Sequence, residues 1–401
     1  MSRRRKNNKV KNILTSIICL VLGVVVGFAG HIFTILPDSY SIPGVVSGSV
    51  SPLGDTGLVD VDVVKSKDLS IHFIELGNKY TGDCTLVKVG DTEMLIDAGS
   101  KASSVPYIKE YIDKYCTDET LEFVVVTHAH EDHYAGFATN DGTQSLLDYY
   151  RVETLIEFSQ TYKTEAQKQY ANYIREKSEA VLRYGTNIFT ATDCLNGTEK
   201  NGVTAQAVYT LGEASKNVSF EILYQKFYDT VNRNDAESEN NFSVCLQISQ
   251  GEKKYLFTGD LEEEGELSLL ESNQGKLSQV ELYKAGHHGS GTSSSKEFMN
   301  VIKPKVVCVC CCAGSSQYTS KNANQFPTQE FINNVTPHTN KIFVTTICIN
   351  YSENKFESFN GSIVICSNLE DSLVNVYCSK NTTTLTETDW FKNNRTLPSA
   401  S

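Results

Sequence analysis

The stretch Val124-Val-Val-Thr-His-Ala-His-Glu-Asp-His-Tyr-Ala-Gly136 runs an apolar strand into a dense set of metal-binding side chains. His128, His130, Asp132 and His133 fall within six positions. Imidazole nitrogen with carboxylate oxygen suits zinc, and also manganese or iron. A solvated turn rarely concentrates four such groups, so the stretch predicts a metal centre at a strand end. His128 and His130, two apart in extended backbone, project the same way toward one ion. Asp132 and His133 follow a turn and can reach a second ion nearby.

Working outward, three more strand-then-loop segments carry chemistry. Met94-Leu-Ile ends in Asp97, and Lys254-Tyr-Leu-Phe ends in Thr258-Gly-Asp260. Leu282-Tyr-Lys-Ala-Gly leads to His287 and His288. Five of the eight histidines lie in the 128–133 and 287–288 clusters, so the imidazoles are gathered rather than scattered. Asp260, arriving from a separate strand, is the natural carboxylate to bridge two ions.

In this order the segments resemble the metallo-β-lactamase superfamily, and within it the hydrolase domain of ComEC-type competence proteins. The matching pieces are Ile71-His-Phe-Ile-Glu-Leu-Gly77 with Gly82-Asp83, Leu95-Ile-Asp-Ala-Gly99 and Thr127-His-Ala-His-Glu-Asp-His133. Asn240-Asn-Phe-Ser-Val244, Thr258-Gly-Asp260 and His287-His-Gly-Ser290 complete the set. The resemblance covers roughly residues 69–367 and implies an α/β fold, the αββα sandwich. It implies His128, His130 and Asp260 at a first ion. At a second it implies Asp132, His133, Asp260 and one later histidine, with His288 favoured over His287. His287 is then free to bind or protonate substrate, Asp132 orients the nucleophile, and Asp97 braces the loop beneath the metals.

One departure stands out. Many superfamily members place a further histidine before the bridging aspartate, and this chain has none from Tyr134 to Asp260. The first of the two divalent sites is therefore expected to be incompletely liganded. Asn240, Asn241 and Ser243 either contact the site or form a strand-start turn.

The activity expected is that of a metal-dependent hydrolase, zinc first among the ions and manganese or iron next. A metal-bridging hydroxide would attack a phosphodiester. Candidate substrates are nucleic acids and cell-envelope or small phosphodiesters, including phosphorylcholine esters of teichoic acids. A lactonase or other carboxyl-ester hydrolase, and a non-catalytic envelope-binding module, are the alternatives. Lys284 is read as a solvated strand-end lysine or as a contact for a substrate anion. Ser290, Thr292 and Ser293 are either a phosphate-binding or a merely polar loop.

Composition places this chemistry. Six basic residues precede an apolar run at 13–36, long enough for a single-pass transmembrane helix. The charge asymmetry puts the N-terminus in the cytoplasm and the catalytic domain outside the cell membrane. The expected organisation is a basic terminus and anchor (1–36), a Pro- and Gly-bearing flexible linker (37–66), a hydrolase domain (67–380) and a poorly ordered polar tail (381–401). Beyond the anchor, 30 basic residues face 48 acidic ones, a formal charge of −18. Such a surface argues against stable nucleic-acid binding, which rests on phosphate neutralisation. Four of the twelve cysteines crowd into Lys305-Val-Val-Cys-Val-Cys-Cys-Cys-Ala-Gly314 and read as small apolar residues of a central strand. His72 reads as a strand residue without a metal role.

Overall fold

Alternating apolar positions build two β-sheets whose inner faces meet. The computed structural model describes residues 53–138, 144–230 and 238–399. The expected anchor at 13–36 and linker residues 37–52 lie outside them. Among the described residues no helix is long and apolar enough to cross a membrane.

The first sheet has nine strands. Its centre runs Leu69–Phe73, Thr85–Val89, Thr92–Ile96, Thr120–Val126, Arg151–Glu157 and Asn187–Thr190; Ile363–Ser367, Asn375–Cys378 and Thr56–Leu58 extend the other flank. The second sheet orders Val208–Leu211, Val218–Leu223, Cys245–Gln250, Lys253–Phe257, Leu282–Lys284, Val306–Ala313, Ile342–Asn350 and Lys355–Ser358. Phe73 of one sheet stacks on Phe257 of the other, with ring centroids 6.2 Å apart. Helices cover the outer faces: Val105, Ile108 and Ile112 pack on the first sheet's side, and Phe298, Ile302, Phe331 and Val335 on the second's. This is the mixed α/β sandwich, two facing sheets with helices outside, that the resemblance implies.

The cysteine-rich strand shows the two-residue period at work. Cys308 and Cys310 join the core between the sheets, while Val307, Val309 and Cys311 face the outer helices. All are buried, and burial pushes the Cys308 and Cys310 thiols well up from their ordinary value. His72 lies in the Leu69–Phe73 strand, where Ser70 Oγ (2.8 Å) and Tyr111 Oη (3.0 Å) satisfy its ring nitrogens.

Two expectations are corrected. The linker was expected to stay flexible to residue 66, yet Thr56–Leu58 adds a parallel edge strand to Asn375–Cys378. Asp60 then caps the helix Val61–Lys65, its carboxylate accepting from the Asp62 and Val63 amides. The tail was expected to be poorly ordered, yet Leu385 and Phe391 are buried against the second sheet's helices. Phe391 on the short helix Asp389–Asn394 and Leu385 on the 3-10 turn before it outweigh the polar composition around them. The long helix Lys168–Tyr184 is preceded by a turn in which Gln167 Oε1 accepts from the Thr164 amide at 2.8 Å.

Strand direction positions the site. Thr92–Ile96 and Thr120–Val126 pair in parallel, as do Lys253–Phe257 and Leu282–Lys284. Their carboxyl ends therefore release Asp97, His128, Asp260 and His287-His288 at one rim of the sandwich.

Candidate metal centre

Backbone constraints come first. Asp97, His287 and His288 all hold left-handed φ (58°, 45° and 54°), a conformation that costs a non-glycine residue on the order of 1–3 kcal/mol. Gly99 has no such freedom to spend: a Cβ there would sit 1.5 Å from the Asp132 carbonyl oxygen. Glycine at that point lets the Asp97 loop lie directly against the metal-binding turn. Gly259, at φ +55°, similarly admits the Ser243 hydroxyl, which accepts from the Asp260 amide at 3.0 Å.

Hydrogen bonds fix the imidazole tautomers. The Thr127 hydroxyl donates to Asp97 Oδ2 (2.8 Å), leaving its lone pairs for His128 Nδ1 (3.1 Å). His133 Nδ1 donates to the same Asp97 oxygen at 2.8 Å. His288 Nδ1 lies 3.0 Å from the Cys310 carbonyl, which can only accept. Each of the three rings therefore turns an Nε2 lone pair inward.

Those lone pairs converge. His133 Nε2 and His288 Nε2 are 3.2 Å apart, and each is 3.2 Å from Asp260 Oδ2. Asp132 Oδ2 lies 3.6 Å from His288 Nε2. A tetrahedral ion with bonds of about 2.0–2.1 Å spaces its ligand atoms about 3.3–3.4 Å apart. The three donors at 3.2 Å come close to that figure, with Asp132 beside them at 3.6 Å from His288, and acceptors facing one another at this distance need a cation between them. The surrounding carboxylates favour positive charge here: burial works to lower His133, but Asp260 and Asp97 raise it to about 10. Burial likewise opposes His288, yet Asp260 and Asp83 raise it well above its ordinary value.

The other expected site is sparser. His128 Nε2 and His130 Nδ1 are 3.0 Å apart, and His128 Nε2 is 4.0 Å from Asp260 Oδ2. Burial depresses the protonation of both rings. Asn240, Asn241 and Ser243 brace the Asp260 turn instead of completing this set. Asn240 Nδ2 donates to Glu262 Oε1 (3.1 Å), and Asn241 Oδ1 accepts from the Glu262 amide (3.1 Å).

Two buried residues belong to the centre although sequence reasoning did not place them there. Asp83 stands behind the rings, its Oδ1 3.1 Å from His288 Nδ1 and its Oδ2 3.8 Å from His133 Nδ1. It forms a buried ligand-type group with His133, Asp260 and His288, but the cation on that side is the Lys284 ammonium. Lys284 pairs with Asp83, lies 3.5 Å from Asp260 Oδ1 and donates to the Gly259 carbonyl at 3.2 Å. The expectation of a solvated or substrate-facing Lys284 is thus corrected, because two carboxylates hold it inside. Burial alone would lower its pKa; Asp83 and Asp260 raise it instead. Asp83 carried a signal in Gly82-Asp83, whereas Lys284 looked like an ordinary strand end.

His287 is turned away from the inner cluster. Its Nδ1 meets Thr292 Oγ1 at 3.1 Å, its Nε2 is 3.9 Å from Asp260 Oδ2, and Phe326 packs against its ring at 5.6 Å. Three lysines, Lys79, Lys101 and Lys163, sit on loops near the site segments in sequence. Lys101 Nζ is 3.1 Å from Glu131, Lys79 Nζ is 4.1 Å from the Tyr351 ring, and Lys163 acts electrostatically on His130.

The chain is similar in part to known proteins. Residues 77–187 match the metallo-beta-lactamase superfamily model. Competence protein ComA of Neisseria gonorrhoeae is 38% identical over 110 residues, 27% of this chain and 15% of that protein. ComE operon protein 3 of Bacillus subtilis (strain 168) is 26% identical over 189 residues, 47% of this chain and 20% of that protein. The chain thus spans about a fifth or less of these curated relatives. Among solved structures, the metallo-beta-lactamase fold protein YhfI from Bacillus subtilis aligns at TM-score 0.31 and 12% identity, covering 54% of this chain and 70% of YhfI. The short form of human tRNase Z aligns at TM-score 0.31 and 12% identity, covering 60% of this chain and 92% of its own. Over residues 77–187 the chain thus carries a match to the metallo-β-lactamase superfamily, and the curated proteins it resembles in sequence are ComA and ComE operon protein 3.

Proposed function

We propose that this protein is a metal-dependent phosphodiesterase, carried on the outer side of the cell membrane by its apolar segment 13–36. The observation that carries the hydrolase reading is the meeting of His133 Nε2, His288 Nε2 and Asp260 Oδ2, all mutually at 3.2 Å with their lone pairs inward. Divalent ions held there would lower the pKa of a water and offset charge on a phosphoryl oxygen. Asp132, His133, Asp260 and His288 would hold one ion. His128 and His130 would hold the other with Asp260 shared, and more loosely, because they bring fewer ligands.

The chain's own groups supply the remaining chemistry. Asp97 keeps the proton of His133 on Nδ1, so that Nε2 is available as a ligand. Lys284 draws Asp260 Oδ1 to the far side and leaves Oδ2 facing the imidazoles. His287, partly exposed beside Asp260, is placed to pass a proton to a departing alkoxide. Burial lowers its pKa, so it returns to the neutral state readily. Lys163, whose charge acts on His130, favours an anionic substrate over a neutral lactone in a chain that is otherwise acidic.

The test is metal analysis of the purified full chain, joined to turnover of bis-p-nitrophenyl phosphate, polymeric DNA and a lactone. Metal-dependent turnover of the phosphodiester is expected. Lactone hydrolysis without phosphodiester hydrolysis would transfer the protein to the carboxyl-ester class. Absence of any bound transition metal would make it a binding module.

A further inference from the structure

Of the four donors at the inner ion position, three are buried to within 2% of full enclosure, while the Asp132 side chain keeps 19% exposure and faces the opening. The Tyr318 hydroxyl donates to Asp132 Oδ2 at 2.9 Å. An ionised carboxylate only accepts, so this bond has one sense, and burial together with Asp132 raises the phenol pKa.

The loop carrying Tyr318 is anchored on both sides. The Gly314 amide donates to the Phe326 carbonyl (2.8 Å), closing the loop's base. The Thr81 amide donates to Gln317 Oε1 (3.0 Å), tying the loop to the segment that bears Asp83. The Tyr318 ring lies 5.5 Å from Phe326, which in turn packs beside His287 and His288. An exposed tyrosine held this way is set by its surroundings and is not a drifting surface residue.

We propose that Tyr318 is a positioning residue for the inner metal ion, holding the Asp132 carboxylate in its ligand orientation from the open side of the site. Asp132 sits on the four-residue helix Glu131–Tyr134, too short to fix a side chain by itself. Tyr318 does for Asp132 what Asp97 does for His133, from the opposite flank. The inference rests on the metal-hydrolase reading, and it concerns metal affinity before it concerns turnover.

The experiment is competition between a fluorescent chelator and the purified full chain for Mn2+ or Zn2+, in wild type and in Tyr318→Phe. The substitution removes the hydroxyl and keeps the ring against Phe326. Partners of metal ligands typically set affinity by about 10–100-fold, so a rise in Kd of that size is expected at one of the two ions. Turnover of bis-p-nitrophenyl phosphate should fall at limiting metal and recover at saturating metal, with KM unchanged. Unaltered metal affinity in Tyr318→Phe beside a wild type that binds normally overturns the proposal. So does a loss of kcat that excess metal fails to restore, which would place the phenol on the substrate itself. A wild-type chain that takes up no divalent ion removes the hydrolase reading along with this one.

Discussion

Replacing Asp97 by asparagine tests how the site chooses its imidazole tautomer. Asp97 accepts three hydrogen bonds, from the Thr127 amide (2.7 Å), the Thr127 hydroxyl (2.8 Å) and His133 Nδ1 (2.8 Å). Asparagine has one acceptor oxygen where aspartate has two. If that oxygen stays with the Thr127 amide, the new amide group faces His133 Nδ1 and offers it a donor. His133 then answers by moving its proton to Nε2, into the space where the ion sits. Forming the metal site now requires restoring the unfavoured tautomer and leaving a buried donor unpaired. The unpaired donor alone costs on the order of 1–3 kcal/mol. That range corresponds to a loss of metal affinity of about 5- to 150-fold, close to what altered partners of metal ligands generally produce. The assay is a chelator competition on the full chain, with circular dichroism to confirm that the fold persists. Wild-type affinity in Asp97→Asn would refute the tautomer argument, since the substitution changes neither size nor shape.

Other outcomes follow from single contacts. His287→Ala should retain both ions and lower kcat by about 100- to 10,000-fold, the usual range for a lost proton donor, measured by metal content and steady-state kinetics. Lys284→Met leaves Asp83 buried without its cation and should destabilise the domain by about 3–5 kcal/mol in urea unfolding, far more than removal of an exposed lysine. Glu266, which accepts from the Ser294 and Ser295 amides, has its carboxyl pushed up by burial to about 7 from 4.5. Its contribution is present below the unfolded value and is lost as pH rises through 7. Glu266→Gln should therefore gain on wild type by about 3 kcal/mol between pH 4 and pH 8 in parallel urea melts; a gap independent of pH would contradict this.

Much of the site could be read from residue order because strand ends leave a periodic signature. His128, His130, Asp132, His133, Asp260 and His288 follow apolar runs, and parallel pairing brings those runs to one rim. The resemblance favoured His288 over His287, but the physical reason for that choice lay beyond the sequence. It depends on left-handed backbone at both residues and on the Cys310 carbonyl, contributed by a different strand. Lys284 and Tyr318 were misjudged or overlooked for opposite reasons. Lys284 has the composition of a surface residue, but two carboxylates distant in sequence enclose it. Tyr318 sits in the polar run Ser315-Ser-Gln-Tyr-Thr-Ser320, which has no periodicity to single it out, and its relation to Asp132 spans 186 positions. The edge strand at Thr56 and the helix at Asp389 were lost because short elements depend on partners elsewhere for their stability.

The final helix has a practical consequence for anyone reshaping this protein. Arg395, beneath that helix, donates to the Pro327 carbonyl (2.8 Å), the Gln325 carbonyl (2.6 Å) and Asn322 Oδ1 (2.8 Å), while the Trp390 indole lies over Gly314. These bonds clamp the hinge of the Gly314–Phe326 excursion from below. Shortening the chain to residue 381, as its hydrophilic lettering invites, would unlatch the wall of a reaction chamber whose ligands all remained in place.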